Sequence, residues 1–154
     1  MGESSLVKPF ARTDVLSGST VTYFLGRLEA ADKGSVPAAV AAALRNSEYD
    51  NVLSSLRGGE PGRLSVPFLR GVALLGKGEL QPAADQFREA LRIADDFLPA
   101  AFYLGACYAA GGHDKEAAGA WQTALVTESE ARIVYDVLAD ALLEKHGHRW
   151  VLGW

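Results

Sequence analysis

The sequence predicts an all-α fold, a solenoid of antiparallel helix pairs, from three observations. First, sliding the chain against itself by 34 residues sets like on like without a gap. Gly71 falls on Gly105, Leu74 on Tyr108, Gly78 on Gly112, Ala83 on Ala117, Phe87 on Trp121 and Ala90 on Ala124. Second, the matched positions have packing reasons. Gly71 and Gly105 let two helices approach closely, Gly78 and Gly112 free the backbone to end a helix, and Phe87 and Trp121 fill the space between one pair and the next. Third, 154 residues at 49% apolar and 22% charged suit a single domain. A chain of that size buries roughly two thirds of its unfolded surface in one core.

The elements follow in order. Residues 1–18 carry Pro9, Phe10, Val15 and Leu16 without a period and read as an extended arm with a few anchoring side chains. Residues 19–32 place Val21, Phe24, Leu25 and Leu28 at helical spacing and stop at Lys33-Gly34, an amphipathic helix. Within residues 33–63, two short helical patterns at 36–44 and 47–56 flank Arg45-Asn46. Ser35 and Pro37 start this pair and Gly58-Gly59-Glu60-Pro61-Gly62 stops it. Residues 64–97 and 98–131 are the two matched units, each predicted as a helix pair. The last stretch, 132–154, carries Val134, Leu138 and Leu142 on one helical face, then a short apolar tail in place of a partner helix.

On these residues, units 64–97 and 98–131 resemble tetratricopeptide repeats, and 33–63 looks like a degenerate copy. The resemblance rests on the small residues Gly71, Ala83, Gly105 and Ala117 and on the aromatics Phe87 and Trp121. Pro67 and Ala101 depart from the family, standing where it usually has an aromatic, and Pro99 lies later than the usual closing proline. The resemblance implies a right-handed superhelix whose first helices line a concave, protein-binding face. A fainter resemblance, at residues 8–16, is to the linker before repeat modules that follow von Willebrand type A domains in some bacterial proteins. It implies an adhesion or surface-assembly setting.

Charge and motif chemistry narrow the function. A formal charge of −4 and scattered Lys and Arg argue against nucleic acid and anionic membranes as partners. The single cysteine, Cys107, excludes an intrachain disulfide and a multi-cysteine zinc site, and its mid-helix place among small residues reads as a buried, inert thiol. The start MGESSLVKPF lacks a signal peptide's apolar stretch, which predicts a cytoplasmic chain, the parent's location staying open if this is a piece of a longer protein. No acid/base pair or activated nucleophile falls at a motif spacing, so no enzyme, cofactor or metal is expected. The glycine-rich 58–62 lacks the Lys-Ser/Thr ending of a phosphate loop. His113 sits at an inter-helix turn, and His146 and His148 lack a third ligand.

The expected function is a non-catalytic scaffold or adaptor that binds a protein or peptide. Carried over from the repeat family, the partner-facing positions are Phe68, Val72, Leu75, Phe102, Ala106 and Ala109, with Asp136 and Asp140 at an acidic edge. These positions offer no Lys, Arg or Asn clamp for a terminal carboxylate, so an apolar helix or extended segment carrying Lys or Arg suits them better. The alternative is a structural module. Its groove would be filled by its own helix 19–31 or arm, and Trp150, Val151, Leu152 and Trp154 would join two copies into a homodimer. Asp136, Asp140 and Glu144 also fit a merely solvated stripe.

Overall fold

Every element in the described part of this computed structural model, residues 12–59 and 62–127, is helical. A 3-10 turn at Arg12–Val15 precedes seven α-helices. They are α1 (Gly18–Ala31), α2 (Ala38–Arg45), α3 (Tyr49–Ser55), α4 (Ser65–Lys77), α5 (Leu80–Ile93), α6 (Leu98–Ala110) and α7 (Asp114–Thr127). Each helix packs on the next one in the chain, and no strand occurs among the described residues.

The sequence repeat returns as repeated backbone geometry. At the end of α4, Gly78 takes φ +84°, its N–H donates to the Leu75 carbonyl at 3.0 Å, and the Glu79 N–H donates to Leu74 at 2.9 Å. At the end of α6, Gly112 takes φ +82°, with N–H bonds from Gly112 to Ala109 at 3.1 Å and from His113 to Tyr108 at 2.8 Å. This left-handed cap satisfies carbonyls that a helix end would otherwise leave open. The α2–α3 connection uses the same device without a glycine. Ser47 takes φ +62°, Ser47 N–H donates to Leu44 at 3.2 Å, and Glu48 N–H donates to Ala43 at 2.8 Å.

Within the pairs, glycine and ring meet as the spacing requires. A Cβ on Gly71 would lie 2.7 Å from the Phe87 ring, and one on Gly105 would lie 2.5 Å from Trp121 Nε1. Only a bare backbone admits rings this close. The Trp121 ring is further tied by its Nε1–H, which donates to the Phe102 carbonyl at 2.9 Å. Helix α5 shows the one-sided pattern of a surface helix: Ala83, Ala84, Phe87 and Ala90 are buried, while Asp85, Arg88 and Arg92 are exposed. Its Arg88–Asp85 and Arg92–Glu89 pairs lie at the surface, where solvent screens such pairs and they add little, so the apolar face holds the helix in place.

Helix α6 differs. Leu98 through Cys107 are buried without a break, and Ala109 with them. A helix apolar on every side must be covered on every side. Helices α5 and α7 flank it along the chain, and further cover comes from α4 and from the segment that precedes α2: α1 packs on α6, and the 3-10 turn packs on both α4 and α6. Residues 12–15 are therefore a helical turn with Val15 fully buried, not an extended stretch. In the 33–63 pair the helices start later than the pattern suggests. Pro37 is an extended cap at φ −61° and ψ 143°, and the Ser47 turn delays α3 to Tyr49.

Candidate functional site

The residues expected to face a partner are inside the protein. Phe68, Val72, Leu75, Phe102, Ala106 and Ala109 are each 5% exposed or less, which corrects the expectation of an open apolar floor. The physical reason differs between the two phenylalanines. Phe68 is enclosed by rings of the helix pairs themselves, with centroids 5.3 Å from Phe97, 5.8 Å from Tyr103 and 5.9 Å from Phe87. Phe102 is met by Phe24 of α1 at 4.8 Å, and by Tyr103 at 5.2 Å.

The site is thus a face of α4 and α6 on which the 3-10 turn sits, with α1 continuing over α6 and α2. Helix α1 presents Val21, Phe24, Leu25 and Leu28, all buried, at i, i+3, i+4 and i+7. That spacing puts one continuous apolar stripe against its support. Phe24 sits edge-on to Tyr103 at 5.3 Å, and Tyr103 stacks on Phe87 at 5.6 Å with 13° between the planes. One ring therefore links the N-terminal helix to the interior of the 64–97 unit.

Tyr103 was not among the expected site residues, yet it is the polar centre of this contact. Its hydroxyl donates to the Val15 carbonyl at 3.2 Å across 88 positions of sequence. Burial pushes the phenol far above its usual range, with a smaller contribution from Tyr49, so it is a neutral donor at every ordinary pH. A tyrosine in the otherwise apolar run Ala100–Cys107 was the available signal, because a buried hydroxyl needs a partner.

The far end of the segment is clasped by charge. Arg63 donates to Asp32 through Nη2 at 2.8 Å, and the Ser65 N–H donates to the same carboxylate at 3.4 Å. Burial works against the charge on Asp32, but the Arg63 and Ser65 bonds outweigh it and hold the carboxyl below its usual range. Midway, Arg45 Nε donates to Thr22 Oγ1 at 3.0 Å.

Elsewhere the described residues offer little chemistry. Cys107 is buried, and desolvation pushes its thiol up to about 12, Arg88 offsetting only part of this, so it is neither thiolate nor nucleophile at neutral pH. No three His, Cys, Asp or Glu side chains converge among the described residues. A cleft of about 520 Å³ lies beside α4 and α5, lined by Gly59, Gly62, Arg70, Glu89, Arg92 and Ile93 among others. Its ions are already engaged: Arg92 with Glu89, and Arg70 with the Leu56 carbonyl at 2.9 Å. No helix among the described residues is long and apolar enough to cross a membrane. Asp136, Asp140, Glu144, His146, His148, Trp150, Val151, Leu152 and Trp154 lie outside the described residues, as do residues 1–11, which hold most of the arm and part of the 8–16 linker. Comparison of the chain with family models, curated proteins and solved structures finds no match.

Proposed function

We propose that the chain is a non-catalytic protein–protein interaction module, a short α-solenoid of tetratricopeptide type that receives an amphipathic helix on the face formed by α4 and α6. The observation that carries this is the seating of α1: four apolar side chains on one helical stripe, with Phe24 against Phe102 and Tyr103. Helix-in-groove recognition uses this same pattern of anchors. The repeated turns at Gly78 and Gly112 and the repeated glycine–ring contacts support the solenoid part of the reading. The inert thiol and the mutually paired surface ions support the non-catalytic part.

A second reading, a structural module whose face is permanently held by its own segment, is favoured by the buried Tyr103–Val15 bond and the Asp32–Arg63 clasp. One experiment separates the two. Full-length protein with Phe24→Asp, confirmed helical by circular dichroism, is titrated into a fluorescein-labelled peptide of residues 12–31, and anisotropy is read. Binding to the variant and none to the wild type, whose face is occupied, supports a helix-binding module. No binding to a folded variant rejects it in favour of the structural module.

A further inference from the structure

The segment on the α4–α6 face is separable from the rest of the fold in three respects. The described helices of 64–127 carry internal links that do not involve it. The turn bonds at Gly78 and Gly112, the glycine–ring contacts and the Trp121–Phe102 bond all lie inside 64–127. Among the described residues, no backbone-to-backbone hydrogen bond joins 12–31 to anything after the connection that follows α1. The polar links described across this boundary each use at least one side chain: Tyr103 to Val15, Arg63 and the Ser65 N–H to the Asp32 carboxylate, and Arg45 to Thr22.

The connection itself, residues 33–37, is short and imperfectly satisfied when folded back. Gly34 makes the reversal at φ +75°, with its N–H given to the Glu29 carboxylate. The Ser35 hydroxyl oxygen is out of contact with solvent and has no hydrogen-bond partner. An orphaned buried hydroxyl destabilises the conformation that buries it. Next, Val36 precedes a proline, which favours extended backbone, and Pro37 is itself extended at ψ 143°. The hinge thus relieves a cost by straightening, and gives up the exposed Gly34–Glu29 bond and the turn bond from the Ser35 N–H to the Asp32 carbonyl at 3.2 Å.

We infer that residues 12–32 are an exchangeable arm, and that two copies of this chain trade arms through the 33–37 hinge to form a two-fold dimer in which each arm fills the other copy's α4–α6 face. This rests on the reading of that face as a helix-binding surface. A second copy is the favoured occupant for a quantitative reason. Any foreign helix competes against an arm tethered by a five-residue hinge, whose effective concentration is on the order of millimolar. A second copy's arm instead replaces every lost contact with the identical one: Phe24 on Phe102, Val15 under Tyr103, Asp32 with Arg63.

The test uses full-length protein carrying either of two affinity tags. The two pools are mixed at concentrations approaching about 1 mM, the tethered arm's own scale, warmed below the unfolding transition and cooled. Mass is then read by light scattering after size exclusion, and mixed species by capture on one tag. The expected result is a doubled mass containing both tags, slow to dissociate on dilution, and absent when both pools carry Phe24→Asp. Wild type that stays monomeric throughout, or Phe24→Asp copies that dimerise equally, overturns the exchange. A second variant lacking Gly34 and Ser35 has a hinge too short to fold back. It is expected to be dimeric at all concentrations; a folded monomer overturns the exchange, and if it does not fold the tagged wild-type pools decide. Peptide binding by monomeric Phe24→Asp leaves the helix-binding reading standing where exchange fails.

Discussion

Replacing Gly105 with alanine sets two opposed effects against each other at one atom. Within a helix, alanine is favoured over glycine by about 1 kcal/mol, because glycine has more backbone freedom to lose. At this position, however, the new methyl would stand 2.5 Å from Trp121 Nε1, 2.7 Å from Cδ1 and 2.8 Å from Cε2. Carbon atoms settle near 3.5–4.0 Å, so the ring must retreat by about 1 Å. The ring is not free to do so, because Nε1–H donates to the Phe102 carbonyl at 2.9 Å and the side chain is fully buried. Overpacking costs about 1–3 kcal/mol and the stretched hydrogen bond about 1 more. Less the helix gain, Gly105→Ala is expected to destabilise by about 1–3 kcal/mol. The midpoint of a urea transition should fall at unchanged slope, and Tm should drop by several degrees, at about 2–4 °C per kcal/mol for a chain of this size. Gly26→Ala is the internal control: it lies in α1 with nothing within 4 Å of its Cβ, so it should stabilise by about 0.5–1 kcal/mol. A Gly105→Ala protein as stable as wild type, with Gly26→Ala behaving as expected, would refute the seating of Trp121 on that glycine.

Other expectations follow from single features. Ser47→Gly should stabilise by about 0.5–1 kcal/mol in denaturant melts, because Ser47 holds a left-handed φ of +62° that glycine adopts freely. Asp32 has a lowered pKa in the folded state, so its contribution is fully present above the ordinary carboxylate range near pH 4 and is lost as pH falls through the lowered value. Asp32→Asn should flatten that acid limb in a series of melts across pH. Cys107, with its thiol raised to about 12, should resist a thiol reagent at pH 8 in the native protein and react as a single thiol in guanidinium.

What was legible in the sequence was what neighbours in the chain decide. The turns at Gly78 and Gly112 and the pairs Gly71–Phe87 and Gly105–Trp121 close over at most 16 positions, so a 34-residue match carries their geometry with it. The Ser47 turn was harder to see, because the left-handed cap there lacks the glycine that announces it. Family positions gave Phe68 and Phe102 as exposed, and this failed because exposure is not a property of a repeat unit. It depends on what else lies against it. The circumference of α6 carried a hint: LPAAFYLGACYAA has no polar face, so some further element had to cover it.

By itself, then, the sequence determined the helical content, the period of the matched pairs and the apolar stripe of α1, since each is written at spacings of 3 to 34 residues. Tertiary structure alone decided where that stripe goes. Phe24 meets Phe102 and Val15 meets Tyr103 across some eighty positions, and no local pattern specifies such a pairing. It is set by the apolar area left uncovered once the helix pairs have closed, and by the one buried hydroxyl in α6 that needs a carbonyl to receive it.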